Sequence, residues 1–193
     1  MADSATGYIL NTVVYTGKEG SAASRDLAMG VVLQLMEPFV DKGYRLFADN
    51  WCTTVPLFLT MERRGILACG TVRANRKFLP KDILDLSNKL VKRLQRGESL
   101  SRQSNDLVCV TWKDKKLIHL LSTIPEGLEI GQVERKVKSA GRWQTKNFAE
   151  PKVIKMYNSH MGGDDLSDQR IATCSQLIKG NIWYYKIFFH NYA

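Results

Sequence analysis

Apolar positions change their period several times along the chain. Gly7–Tyr15 is dense in β-branched and aromatic residues and is closed by Thr16-Gly17-Lys18, which predicts a strand followed by a turn. Ser24 can then cap a helix whose Leu27, Val31 and Leu35 recur every fourth residue on one face, with Pro38 and Gly43 ending or bending it. Tyr44–Ala48 has the composition of a short buried strand, and Asp49 sits just past its end. Thr53 or Thr54 before Pro56 marks a helix start, and Gly65 a stop. Ile66–Val72 is strand again. The order β-α-β-α-β predicts an α/β fold with at least part of its sheet parallel.

The pattern changes after Val72. Arg73–Pro80 has the look of a basic linker, and a helix-like stretch follows from about Asp82 to Arg96. Leu107–Trp112 and Leu117–Leu121 flank the polar Lys113–Lys116, a hairpin signal. Glu129–Ala149 is polar and basic without a sustained period and is expected to be a loose loop. Val153–Tyr157 returns to apolar character, and Asp164–His190 predicts helix interrupted near Lys179-Gly180-Asn181. The expected organisation is therefore a core segment 1–72, a basic β-containing insertion 73–150, and a closing helical segment 151–193.

Composition narrows the class. With 193 residues, 44% hydrophobic and 24% charged, the chain can bury a real core, so disorder is a poor default. No apolar run approaches the ~18 residues of a membrane helix. Residues from Met1 onward lack the basic-then-apolar pattern of a signal peptide, and no membrane partner is expected. Cys52, Cys69, Cys109 and Cys174 stand far apart with no Cys-x-x-Cys pair, which argues against zinc and against a disulfide framework, and fits a reducing compartment. The net charge of +9 is concentrated: residues 73–150 hold 17 Lys/Arg against 9 Asp/Glu, a net of +8. Such a segment suits a polyanion. An ordinary solvated basic surface is an equal reading of charge alone.

Candidate chemistry lies in the aspartates. Asp3, Asp49, Asp165 and Asp168 come from distant parts of the chain. Carboxylates brought together from such positions can hold Mg²⁺, a hard cation that takes oxygen ligands. Two such ions roughly 4 Å apart can activate a water or a 3′-hydroxyl and stabilise a leaving oxygen. Each aspartate also has a bland role: Asp49-Asn50 as a turn, and Asp164 or Asp165 as a helix cap. Spacing alone does not establish a metal site.

Longer blocks carry a resemblance. Ala2-Asp-Ser-Ala-Thr-Gly-Tyr-Ile-Leu-Asn11 with Val14-Tyr-Thr-Gly-Lys18 resembles the first block of piggyBac-type transposases and the domesticated proteins derived from them. Phe47-Ala-Asp-Asn-Trp-Cys-Thr-Thr-Val-Pro-Leu57, Arg64-Gly-Ile66 and Gly70-Thr-Val-Arg-Ala-Asn-Arg-Lys77 look like the second. Tyr157-Asn-Ser-His-Met-Gly-Gly-Asp-Asp-Leu-Ser-Asp-Gln169 is similar to the third, and Trp183–His190 to the aromatic helix after it. The blocks follow the family order.

The resemblance implies an RNase H-like core with a β-rich insertion, and cut-and-paste DNA transposition through hairpin intermediates at TTAA targets. It implies two Mg²⁺ ions on Asp3, Asp49 and Asp165 as catalytic acids, with Asp168 a further acidic position. The three carboxylates are expected within reach of one ion pair, with Asp168 facing the same side. Arg73, Arg76 and Lys77 match basic positions expected to meet DNA. Trp183 matches an aromatic that can stack on an unpaired base, with packing in a core as its bland alternative. DNA, a second copy or a full-length transposase, and a nuclear location are implied in the same way. The chain departs from the pattern at Asp164, where a small apolar residue is usual. Only two residues precede Asp3, and the family's flanking domains are not in this sequence. The expectation is a core truncated at both ends and inactive alone. The alternatives are a non-catalytic DNA-binding or transposase-interacting relic, or a fragment without function of its own.

Overall fold

The computed structural model describes residues 1–14, 27–139 and 141–174. These fall in two compact units: Met1–Met36 with the described residues from Ser159 onward, and Glu37–Asn158.

The second unit is built on a five-stranded sheet. β1 (Arg45–Ala48) runs parallel to β2 (Leu67–Thr71), joined by α2 (Val55–Arg63), which follows α1 (Leu27–Met36) of the first unit. β2 then pairs antiparallel with β5 (Leu117–Ser122), β5 with β4 (Leu107–Lys113), and β4 with β3 (Ser99–Ser104). The sheet order is β1-β2-β5-β4-β3. α2 starts where the sequence signals it: Thr54 is extended at φ −142° and its Oγ1 accepts from the Leu57 N–H. Pro56 occupies the first turn, where a missing N–H costs nothing. Leu57, Phe58 and Met61 are buried, and Gly65, at φ +67°, ends the helix in the left-handed conformation that glycine tolerates.

Trp112 is the largest fully buried side chain among the described residues. Around it Cys69, Val108, Val110, Leu120 and Ile124 form one core cluster with Val153, Ile154 and Tyr157 of α5 (Lys152–His160). Two buried threonines of this core have hydrogen-bond partners, as burial requires. Thr123 Oγ1 accepts from the Ala68 N–H at 2.8 Å, and Thr111 Oγ1 donates to the Ile83 carbonyl at 2.8 Å.

The structure corrects the expected elements in several places. No strand forms over the described part of Gly7–Tyr15, only an isolated Ala2↔Ile9 bridge. The chain turns at Gly7 (φ +68°) instead of extending. On α1 the buried residues are Val32 and Met36, one position on from the expected face. The stretch Asp82–Arg96 is broken into α3 (Lys81–Leu84) and α4 (Lys89–Arg93). Asp85 accepts from the Ser87 N–H and hydroxyl, and Asn88 caps the second piece through the Leu90 N–H; these local bonds compete with a continuous helix. β3 carries no apolar alternation and was not signalled. Glu129–Ala149 is no loose loop. It forms most of a ten-residue antiparallel ladder of β6 (Ile130–Ser139) on β7 (Arg142–Pro151). Half-buried Val133, Arg135 and Val137 alternate with exposed neighbours along β6, a period masked by polar composition.

Within residues 73–150, β3, β4 and β5 extend the same sheet as β1 and β2, while β6 and β7 form a sheet of their own. α6 (Gly163–Cys174) begins near the expected Asp164. The expected continuation to His190, its interruption at Lys179-Gly180-Asn181, and Ser24 lie outside the described residues. Among the described residues no helix is long and apolar enough to cross a membrane.

Trp112 Nε1 donates to the Ala149 carbonyl at 2.9 Å, tying the sheet to β7. Trp112→Phe leaves that carbonyl unpaired beside a small void and is expected to cost about 2 kcal/mol. Urea unfolding measures it, and an unchanged midpoint would show that the bond contributes nothing.

Candidate active site

Asp49 follows β1 directly and is held by its own loop. Its Oδ1 accepts from the Trp51 N–H at 3.0 Å and the Cys52 N–H at 3.4 Å. Its carbonyl accepts from the Thr53 N–H at 3.1 Å and hydroxyl at 2.7 Å. The loop is gripped from the other side by residues that follow β2. Arg73 Nε donates to Asn50 Oδ1 at 2.8 Å, and one Arg76 Nη donates to the carbonyls of Asn50 at 2.9 Å and Trp51 at 2.8 Å. Arg76 Nε is buried without a hydrogen-bond partner. Ala48 pairs with Gly70, where an added Cβ would sit 2.6 Å from the Ala48 carbonyl oxygen and collide with Thr53 Oγ1. The glycine is therefore a packing requirement, and it sets the height of the Asp49 loop on the sheet.

The charge of Asp49 reaches its neighbours. Burial pushes the Cys52 thiol up to about 11, with Asp49 adding to the rise and Arg76 opposing it. Burial likewise raises the Tyr157 phenol, its hydrogen bond with Thr71 works the other way, and Asp49 adds to the rise. Cys52 is thus a protonated thiol at neutral pH.

The first unit holds the remaining acids. Asp3 opens a tight turn: its carbonyl accepts from the Gly7 N–H at 2.8 Å, and its Oδ2 accepts from the Thr6 hydroxyl and from the Thr6 N–H at 2.8 Å. Those hydrogen bonds, the hydroxyl first, hold the exposed carboxyl below its ordinary range. The turn lies against the start of α6. A Cβ on Gly163 would come within 2.9 Å of the Asp3 carbonyl oxygen, and one on Gly7 within 2.9 Å of Leu166 Cγ. Asp165 and Asp168 are exposed on α6 and Ser167 is buried.

Asp3 and the helix of Asp165 and Asp168 are thus brought together, and Asp49 belongs to the other unit. Among the described residues no three His, Cys, Asp or Glu side chains gather closely enough to hold a metal ion. The donors are chemically suited to Mg²⁺, being carboxylates only, with Asp49, Asp165 and Asp168 exposed and Asp3 half-buried. Arg73 and Arg76 both bond the Asp49 loop, while Lys77 is exposed. Trp183 lies outside the described residues. Residue spacing offered Asn50 only as part of a turn and Thr53 only as a helix start, with no hint of their part in this loop. Gly70 carried a different signal, a glycine inside a strand, which often marks a close backbone approach.

A family model described as Transposase IS4 matches residues 1–192, and the chain belongs to that family. It is of piggyBac type. It is 27% identical to human PiggyBac transposable element-derived protein 2 over 168 residues, 83% of this chain and 27% of that protein. It is 28% identical to human PiggyBac transposable element-derived protein 3 over 192 residues, 92% of this chain and 30% of that one. The cryo-EM structure of the piggyBac transposase synaptic complex with hairpin DNA matches it with a TM-score of 0.77 at 26% identity, over 98% of this chain and 37% of the other. The chain therefore spans only 27% to 37% of the length of these three proteins. With the structural match, its mixed α/β sheet is that of an RNase H-like core.

Arg76→Ala strips two loop carbonyls of their shared donor, a loss of about 1–3 kcal/mol locally. The Trp51 and Cys52 amides are then expected to exchange hydrogen roughly 5- to 100-fold faster, read by hydrogen-exchange mass spectrometry. Unchanged exchange there would mean that the arginine does not hold the loop.

Proposed function

We propose that this chain supplies the carboxylates and part of the DNA-facing surface of a cut-and-paste DNA transposase, which cleaves and transfers strands through hairpin ends at TTAA targets. Family membership and the likeness to a transposase bound to hairpin DNA support the reading. The observation that carries it is the packing of the Asp3 turn against the first turn of α6, which joins two acid-bearing segments from distant parts of the sequence.

Asp3, Asp49 and Asp165 would hold the two Mg²⁺ ions, with Asp168 one turn further along α6. When bound, such a pair activates the attacking water or 3′-hydroxyl and stabilises the leaving oxygen. The chain's own part is positional. The Trp51 and Cys52 amides orient the Asp49 carboxylate, and Arg76 fixes the carbonyls behind those amides. A carboxylate pre-set in this way loses little freedom on taking a ligand, which is how positioning lowers a phosphoryl-transfer barrier. Lys77 and the other exposed cations of residues 73–150 suit phosphate contacts, and Trp183 suits an unpaired base. A nuclear location and a second transposase copy as partner belong to the same reading.

A non-catalytic DNA-binding protein is the alternative, compatible with an Asp3 carboxylate that is already engaged by Thr6. Nicking of a hairpin oligonucleotide in Mn²⁺ separates the two readings when measured beside duplex binding. Under the transposase reading the chain nicks weakly, and Asp49→Asn or Asp165→Asn lowers the rate at least 100-fold with duplex affinity intact. Affinity should fall at least tenfold between about 50 and 200 mM salt. Salt-sensitive binding with no nicking, or nicking indifferent to both substitutions, would favour the relic.

A further inference from the structure

A groove lies between the β6–β7 hairpin and the turn joining β4 to β5. It has a volume of about 850 Å³ and is lined chiefly by Arg96, Asp114, Lys115, Arg135, Lys136 and Trp143. Four cations thus face one carboxylate. Its floor is rigid. Asp114 accepts from Arg96 Nε at 2.6 Å and from Arg135 Nε at 3.3 Å, and Arg135 also reaches Glu150 at 3.5 Å. The Arg96 guanidinium lies over the Phe148 ring, 4.5 Å from its centroid, and one of its Nη atoms is buried without a hydrogen-bond partner.

The rim is different in kind. Lys115 and Lys136 are exposed and form no ion pair among the described residues. The ladder pairs Lys138 with Trp143 and Lys136 with Thr145, so the two lysines and the indole share one face of the hairpin. Trp143 is 69% exposed. A single exposed aromatic needs no explanation by itself. An uncovered indole with two lysines on its own face of the hairpin, at the edge of a groove lined by more positive than negative groups, has the components of a stacking platform beside a phosphate track.

We propose that this groove binds an unpaired stretch of nucleic-acid strand, with a base stacked on Trp143 and the adjoining phosphates held by Lys115, Lys136 and Lys138. The inference rests on the DNA reading above for its partner but not on the aspartates. Stacking on an aromatic face accepts any base, so the site discriminates single strand from duplex and not one sequence from another.

The test is fluorescence anisotropy with a labelled oligothymidylate, the matching duplex, and the same strand with abasic residues. Trp143→Ala is expected to weaken single-strand binding about tenfold and duplex binding less than twofold, with Trp143→Phe keeping most of the affinity. On the abasic strand the Trp143→Ala effect should vanish. Lys115→Ala with Lys136→Ala should weaken binding to all three and flatten the salt dependence. Equal losses on single strand and duplex, no loss at all, or displacement of the oligonucleotide by polyglutamate at similar concentration would overturn the proposal. Duplex binding with no single-strand binding would sink this site and leave the broader DNA reading standing. Binding to neither would remove both.

Discussion

The close approach of Gly70 to Ala48 is the constraint on which the site depends. Strands 4.8 Å apart ordinarily leave room for side chains on both faces. Here the room above Gly70 is taken by the Ala48 carbonyl and by Thr53, the residue that also ties back to the Asp49 carbonyl. The backbone leaves β1 at a fixed height, Arg76 reaches across to the next two carbonyls, and Asp49 receives the amides that follow. Glycine and arginine thus act together, one by absence of bulk and the other by a planar set of donors.

Charge is sorted along the same lines. Arg73 and Arg76 are spent on the Asp49 loop, and Arg96 and Arg135 on Asp114. Exposed cations such as Lys77, Arg93, Lys115, Lys136 and Arg142 are what remains for a polyanion. Arginine forks suit fixed, partly buried pairing, whereas a hydrated ammonium on a flexible stem suits phosphates that vary in position. The basic excess of residues 73–150 is therefore less available than its count suggests.

Where local rules and packing agreed, the sequence was a good guide. β1, α2 and β2 fell where Thr54, Pro56 and Gly65 punctuate the chain, and Asp49 falls just past β1 as expected. The partly parallel sheet was legible, but the β3–β4 and β6–β7 pairings were not. β3 is an edge strand whose partner supplies the order, and β6–β7 alternates charged with apolar residues that register only once the ladder exists. The Gly7–Tyr15 stretch misled because its β-branched residues favour a strand, while the Asp3–Thr6 hydrogen bonds and Gly7 commit the backbone to a turn. The family blocks named the acids without their surroundings. Only coordinates gave the grip of Arg76 and the seat of Asp3 on α6.

The central claim is that Asp3, Asp49 and Asp165 serve one metal centre. Anomalous scattering from crystals of the chain soaked in Mn²⁺ tests it most directly, best with a bound hairpin oligonucleotide. The account predicts peaks within about 2.1–2.3 Å of carboxylate oxygens from all three residues. Peaks at Asp49 alone, or none near any of the three while DNA is bound, would contradict it.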